Sequence, residues 1–168
     1  MKAHFSLMAG YNAWANHRLY DAVAELDDAD FRADRGAFFK SVHGTLNHLL
    51  ATDRIWMKRF TGKGDAPDRL DAILFDDFAS LRAARQTEDE RIAAYVDGLS
   101  QADLTSRIRY RTLTNPADVE EPLWPALSHL FNHQTHHRGQ VHGLLTGLRR
   151  EASSLDLIMF QRERAAAA

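Results

Sequence analysis

The sequence predicts an all-α protein: an antiparallel four-helix bundle with a small β-hairpin before its last long helix. Three observations support this prediction. Four long segments repeat apolar residues every three or four positions, turn signals separate these segments, and residues 106–123 alternate with a period near two. A chain of 168 residues suits one domain, so we expect a single domain over residues 1–168.

The first half of the chain contains two of the predicted long helices. The first covers residues 3–26, and a short helical piece is expected around Phe31 after an aspartate-rich turn. Ser41 is a good N-cap for the second helix, because its hydroxyl can accept a hydrogen bond from an amide of the first turn. We expect that helix to reach about Phe60 and to end in the glycine-containing segment 61–64.

The third predicted helix covers residues 76–98, with Asp76 or Asp77 as its N-cap. Its charged stretch, residues 85–91, is predicted to be exposed to solvent. The alternating segment 106–123 follows, and its three arginines are expected at solvated strand positions. This segment is the predicted hairpin.

The fourth long helix is expected to begin near Pro125 and to end at Gly147, before a short capping helix over residues 155–160. Five of the nine histidines of the chain lie in this fourth helix, within residues 129–142. At 100° per residue, a helix sorts such a group by face. The faces therefore indicate which histidines point toward the core.

His137 lies within the apolar stripe of this helix, and His133 and His129 lie along the edge of the stripe. His136 and His142 point away from it. His133 and His137 are one turn apart on the inward face, so they can bind one metal ion together. His129 ranks behind them at the rim, and His136 becomes a ligand only if the helix is rotated.

A third ligand has to come from another helix, and His48 is the best candidate. It lies at the edge of the apolar side of the second helix, whereas His43 and Asn47 lie in a polar arc, and His43 is expected at the surface. A lone histidine at such a position is more often a hydrogen-bonded core residue than a ligand. Asp53 and Gln140 are either hydrogen-bond partners of the ligands or ordinary polar residues.

Composition narrows the function classes. The net charge is −2, with 21 basic and 23 acidic residues interspersed, so nothing indicates a nucleic-acid surface. No apolar run approaches the roughly 18 residues that span a bilayer, and no signal-peptide pattern opens the chain, so a cytoplasmic location is expected. The chain has no cysteine, which excludes disulfides, cysteine zinc sites and a cysteine nucleophile. A bound transition metal therefore needs imidazole and oxygen ligands.

Three segments are similar to those of a known family. They are YNAWAN at residues 11–16, LNHLLATDRIW at residues 46–56 and FNHQTHHRGQ at residues 131–140. In these segments the chain resembles the DinB/YfiT-like metalloenzymes, a family that includes damage-inducible proteins. The segments span most of the chain in the same order, and the last one is the most specific.

The resemblance implies a four-helix bundle that holds a divalent metal, zinc or nickel, on His48, His133 and His137. It also implies thiol-dependent chemistry, because characterised relatives include S-transferases that use low-molecular-weight thiols and a thiol-dependent isomerase. A homodimer is expected on the same basis.

Three functions remain open from the sequence. The first is a metal-dependent enzyme that transfers a low-molecular-weight thiol to a small electrophile. The second is metal-assisted hydrolysis, in which the open metal position holds hydroxide. The third is a non-catalytic, stress-associated metal-binding protein whose site stabilises the bundle. In the first two the partner is a small molecule, and in none of them is it nucleic acid or a membrane.

Overall fold

The computed structural model describes residues 1–167, and it confirms the predicted helical bundle and hairpin. The elements, in chain order, are α1 (Lys2–Val23), α2 (Asp28–Arg32), α3 (Val42–Thr61), α4 (Phe78–Gly98), a 3-10 turn (Asp103–Thr105), β1 (Arg107–Arg111), β2 (Asp118–Pro122), α5 (Leu123–Gly147) and α6 (Leu157–Ala166). The two strands pair antiparallel, with Arg109 opposite Glu120. Within residues 1–167, no helix is both long enough and apolar enough to cross a membrane.

Helices α1, α3, α4 and α5 form the bundle, in which α1 and α3 each pack against both α4 and α5. Lys2, at the start of α1, donates a hydrogen bond to the carbonyl of Asp97, near the end of α4. Tyr20, near the end of α1, stacks on Phe78 at the start of α4. These two helices therefore run antiparallel.

Helices α3 and α5 are also antiparallel. Trp56 of α3 contacts His129 of α5. His48, two turns earlier in α3, contacts His137, two turns later in α5. The opposite directions bring the first half of α3 against the middle of α5, where the histidines lie.

The other two neighbouring pairs run parallel. Phe5 of α1 stacks on Phe131 of α5. Asn12, further along α1, accepts a hydrogen bond from Arg138, further along α5. Helices α1 and α5 thus share one direction, and α3 and α4 share the other. The bundle combines both kinds of pair because residues 62–77 carry the chain back along α3 before α4 begins.

Local capping sets the helix ends near the predicted positions. The Ser41 hydroxyl accepts a hydrogen bond from the amide of Gly44 at 3.0 Å, which begins α3. Gly62 ends α3 with a φ of 69°, a left-handed conformation that costs glycine little. Asp77 is the N-cap of α4, because its carboxylate accepts from the amide of Ser80 at 2.8 Å.

Two apolar clusters lie toward opposite ends of the bundle. One includes Leu19, Tyr20, Val42, Leu46, Leu49, Leu81 and Val141. The other includes Phe5, Met57, Ile92, Val96, Leu127, Leu130 and Phe131. A buried polar layer, contributed by all four long helices, lies between them; its members are Asn12, Asn16, Asp53, Arg85, Asp89, Gln134 and Arg138.

The prediction that residues 85–91 are exposed throughout is wrong, because three of them are buried. Arg85 is only 2% exposed, and Glu88 and Asp89 are also buried. The Arg85 guanidinium lies 2.7 Å from the carboxylate of Asp53 and 3.1 Å from that of Asp89. Charges at these positions are tolerated in the core because they are paired with opposite charges from α3 and from the next turn of α4.

His43 is a second correction, since it was expected at the surface; Asn47, in the same polar arc, is also buried. His43 is 8% exposed and its Nε2 lies 3.1 Å from the Phe75 carbonyl. The Asn47 side-chain oxygen accepts from the amides of Leu74 and Phe75. The returning segment 62–77 covers this face of α3 and buries it. A helical wheel cannot reveal a loop that packs on the polar arc.

The capping helix is present as α6, slightly later than predicted. Phe160 packs its ring against Tyr11 and Trp14 of α1. The indole N–H of Trp14 donates to Glu163 at 2.8 Å. These contacts fasten the C-terminal helix to the outside of α1.

Candidate metal centre

The structure brings His48, His133 and His137 together, as the helix faces predicted. Helix α5 presents His133 and His137 one turn apart, and the antiparallel α3 presents His48 opposite them. One nitrogen from each ring can be chosen so that all three lie within 4.8 Å of one another. The Nε2 atoms of His48 and His133 are 3.1 Å apart. Converging imidazole nitrogens of this kind form the donor set of a divalent-metal site.

Two hydrogen bonds orient the outer sides of these rings. Nδ1 of His48 donates to the carbonyl of Leu70 at 2.7 Å, and Nδ1 of His137 lies 2.7 Å from the side-chain oxygen of Gln140. Since a carbonyl oxygen only accepts, each Nδ1 carries the proton. Nε2 of each ring is then left with a free electron pair, which is what a metal ligand requires.

The chemistry of this donor set fits a metal ion. Nε2 of His48 faces Nε2 of His133, and two unprotonated nitrogens at 3.1 Å repel one another unless something positive lies between them. A proton on Nε2 of the neutral His133 ring would satisfy this contact without a metal. Once that proton moves to Nδ1, Nε2 of His133 is also free, and a divalent cation held by His48 and His133 would lie beside His137 as well.

Burial keeps the cluster neutral and ready to coordinate. It lowers the pKa of His48 to about 4 and that of His133 to about 3, and it also lowers the pKa of His137. Phe39 contributes to this burial, because its ring stacks on His48 with a centroid distance of 3.7 Å. At neutral pH these three imidazoles therefore do not need to lose a proton before they bind a metal.

Comparison with known proteins identifies the family of this chain. The sequence model described as the DinB family matches residues 1–164. The chain belongs to the DinB family. Among curated proteins, Protein DinB of Bacillus subtilis (strain 168) is 25% identical over 150 residues, covering 80% of each protein.

Two solved structures share the DinB fold of this chain. A DinB-like protein from Bacillus cereus ATCC 10987 superposes with a TM-score of 0.66 at 16% identity, covering 86% of this chain and 90% of that one. YfiT from Bacillus subtilis, described as a probable metal-dependent hydrolase with an unusual four-helix bundle topology, gives 0.66 at 15% identity and 89% coverage of both chains. At these identities the likeness shows the fold alone.

Two further histidines of α5, His129 and His136, lie beside this cluster. His129 is exposed and its ring lies 5.7 Å from that of His133, at the rim of the cluster. His136 is exposed, and its Nε2 lies 3.2 Å from the Gln140 amide nitrogen. Among residues 1–167, only His48, His133 and His137 form a group of this kind.

Of the two polar residues weighed as partners of the ligands, only one contacts a ligand. Gln140 does so through His137. Asp53 belongs instead to the buried polar layer, where it pairs with Arg85 and accepts from Gln134 at 2.5 Å. Its carboxylate supports the bundle beside the site and bonds none of the three histidines.

Sequence reasoning missed the Leu70 carbonyl and Phe39. Any residue can offer a backbone carbonyl, so the sequence carries no signal for Leu70. Phe39 had a weak signal, because an aromatic pair at residues 38–39 stands just before the Ser41 cap.

A cleft of about 500 Å³ opens on one side of the cluster. His48, His129 and His133 line its inner end. Thr52, Trp56, Arg59, Leu70 and Tyr110 form its walls, and the hairpin turn covers it; the turn residues are Thr112, Leu113, Thr114, Asn115 and Ala117. The histidine cluster is therefore accessible to a small molecule from this direction.

Proposed function

We propose that this DinB-family protein is a divalent-metal-dependent enzyme that transfers a low-molecular-weight thiol to a small electrophile. His48, His133 and His137 hold the metal, which is zinc or nickel. One observation carries the proposal: three imidazoles converge, and two of them, those of His48 and His133, line a cleft of small-molecule size.

The ligand number supports a catalytic rather than a structural role for the metal. Three protein ligands leave a fourth position for a substrate, whereas structural zinc sites are closed by four. When bound, zinc or nickel at this position lowers the pKa of a coordinated thiol and so supplies thiolate at neutral pH. His48 and His133 both line the cleft, so a metal held by these residues would be accessible to a small molecule from that side.

Two features of the chain favour a thiol as the nucleophile. The chain contains no cysteine, so the sulfur has to come from a second substrate. In addition, no aspartate or glutamate lines the cleft within residues 1–167. A metal-bound thiolate needs no general base, whereas activation of water is commonly assisted by a nearby carboxylate. The resemblance to thiol-dependent S-transferases points the same way.

Metal-assisted hydrolysis is the second candidate. It is favoured by the position of His129, an imidazole base at the cleft beside His133, and by the description of YfiT as a probable metal-dependent hydrolase. In this case a metal held by the three histidines would activate water instead of a thiol, and no thiol would be consumed.

One experiment separates these two candidates. Protein reconstituted with zinc or with nickel is mixed with chlorodinitrobenzene, with and without glutathione or cysteine, and separately with p-nitrophenyl acetate without thiol. The proposal predicts metal-dependent arylation of the thiol that is lost after chelation and in His133→Ala. Ester hydrolysis that depends on the metal and ignores every thiol supports the second candidate and rejects the first.

Chelation also tests the non-catalytic alternative. If removal of the metal unfolds the bundle and no thiol ever enters the coordination shell, the site is structural. We further propose that the protein is a homodimer, which light scattering of the metal-loaded protein tests directly.

A further inference from the structure

A single guanidinium, that of Arg59, lies at the end of the cleft remote from the histidine cluster. It packs between two aromatic rings, 4.5 Å from the centroid of Trp56 and 4.6 Å from that of Tyr110. Nη2 donates one hydrogen bond, of 3.1 Å, to the carbonyl of Arg111. The stacking and this bond hold the group in one orientation, and its other N–H donors are left available.

Arg59 differs from the neighbouring arginines in having no counterion. Arg107 and Arg109 both pair with Glu120. Arg111 pairs with Asp118. In the part of the chain that the structure describes, no carboxylate lies within salt-bridge distance of Arg59, and no acidic side chain lines the cleft.

The lack of a counterion matters because Arg59 is half-buried. Burial lowers its pKa, which shows that the surroundings disfavour the isolated charge. An anionic ligand that reaches this position gains the attraction of a partly desolvated cation and loses little to competing acids. A planar carboxylate matches the fork of N–H donors.

The distance between this cation and the histidines sets the length of the ligand. His48 and Trp56 lie on one face of α3, eight residues apart, which is about 12 Å along a helix axis. Arg59 leans back onto Trp56, so its guanidinium lies at about that level. An extended chain advances roughly 1.2 Å per bond, so about ten bonds separate the metal-bound atom from the anion.

We infer that Arg59 is the anion-binding end of the substrate cleft, and that the cleft takes an extended organic carboxylate whose other end reaches the metal. The apolar walls between the two ends suit the intervening chain. This inference rests on the proposed function, because it uses the metal as the second anchor. The carboxylate belongs either to the thiol or to the electrophile.

A series of thiol probes tests the inference by binding alone. Cobalt-substituted protein is titrated with mercaptopropionate, mercaptooctanoate and mercaptoundecanoate, and with mercaptopropanol, mercaptooctanol and mercaptoundecanol as neutral partners. Coordination of the thiolate is followed by its charge-transfer absorption. We expect the long acids to bind about tenfold to a hundredfold more tightly than the alcohols of equal length, and mercaptopropionate to gain no such advantage.

Variants assign that advantage to Arg59. In Arg59→Gln the acid and the alcohol of each length should bind equally, while Arg59→Lys keeps part of the preference. Arg109→Gln, which removes an exposed arginine of the hairpin, should leave the preference unchanged. Equal binding of acids and alcohols by the wild type, or a preference that survives in Arg59→Gln, overturns the inference.

The failure of the proposed function is distinguishable from this result. If no thiol perturbs the cobalt spectrum, thiol binding at the metal is rejected. Binding of octanoate, followed by tryptophan fluorescence in the wild type and in Arg59→Gln, then still tests whether Arg59 binds a carboxylate. Steady-state kinetics with two pairs of substrates then show whether the thiol or the electrophile carries the carboxylate. The KM for mercaptooctanoate rises in Arg59→Gln if the thiol carries it, and the KM for a carboxylated electrophile with mercaptooctanol rises if the electrophile does.

Discussion

The Nε2 atoms of His48 and His133 lie 3.1 Å apart although 85 positions separate the two residues in the sequence. Two imidazole nitrogens bound to one tetrahedral zinc ion are about 3.3 Å apart, since each zinc–nitrogen bond is about 2.0–2.1 Å. The two nitrogens are therefore spaced much as a single tetrahedral ion would require.

Metal content tests this arrangement directly. Alanine at His48, His133 or His137 should each reduce the metal bound per chain to a small fraction of the wild-type value, because two ligands hold an ion far less tightly than three. Alanine at His136 or His142 should leave it near the wild-type level. Elemental analysis after dialysis measures both groups. Equal loss from His136→Ala contradicts the ligand set.

Gln140 should tune the metal affinity without being a ligand. Its side-chain oxygen fixes Nδ1–H of His137 at 2.7 Å, and removal of such a partner commonly lowers metal affinity about tenfold to a hundredfold. We expect Gln140→Ala to fall in this range by competition with a chelating dye. His136→Ala is the matched control, because it removes the other neighbour of the Gln140 amide. If Gln140→Ala binds metal as tightly as the wild type, Gln140 does not orient His137 for binding.

The stability of the metal-free protein should depend on pH through the buried histidines. Burial holds the pKa of His48 at about 4 and that of His133 at about 3, whereas histidine in an unfolded chain titrates near about 6.5. Between these values the unfolded chain binds protons that the folded protein does not. The free energy of unfolding therefore falls as the pH falls from about 6.5 toward about 4.

Urea titrations at several pH values across that window measure this effect. His133→Gln should lose less stability than the wild type as the pH falls, since it removes the group with the lowest pKa. His4→Gln, at an exposed position, is the control and should follow the wild type. Curves for wild type and His133→Gln that stay parallel over the whole window rule out this contribution.

The sequence predicted features that depend on neighbouring residues and missed those that depend on distant ones. The Ser41 and Asp77 caps are short-range interactions, and both are present. The burial of Asn47 depends on a loop that returns along α3, and the burial of Arg85 depends on Asp53 in another helix. No periodicity within one helix records such contacts.

The same distinction applies to the residues of the candidate site. His133 and His137 were recognisable as a pair because one helix carries both. His48 required the assumption that two apolar faces meet, and the family resemblance supported it. The Leu70 carbonyl and the unpaired state of Arg59 became visible only in three dimensions, since one is backbone and the other is an absence of partners.

The buried polar layer should contribute strongly to stability, and Arg85 is its centre. Arg85→Met leaves the buried carboxylates of Asp53 and Asp89 without their shared cation, a change that typically costs about 3–5 kcal/mol. Urea unfolding measures the loss. Arg111→Met, which breaks an exposed pair with Asp118, should change stability little. If the two variants lose similar amounts of unfolding free energy, the buried ion pairs stabilise the fold no more than the exposed pair does.

Two glycines in long helices should respond in opposite directions to alanine. A Cβ at Gly44 would overlap the backbone carbonyl oxygen of Phe39, whereas a Cβ at Gly143 meets nothing within 4 Å. Gly143→Ala should therefore raise stability by about 0.5–1 kcal/mol, the usual gain from better helix propensity. Gly44→Ala should lower stability by about 1–3 kcal/mol through overpacking.

Gly44→Ala should also weaken metal binding, because the ring of Phe39 stacks on His48 and has to move with its backbone. Metal affinity and urea unfolding measured on both variants separate the two effects. Gly143→Ala should keep wild-type affinity, since nothing that contacts the histidine cluster is displaced. If Gly44→Ala is destabilised but binds metal as the wild type does, Phe39 shields the site without positioning His48.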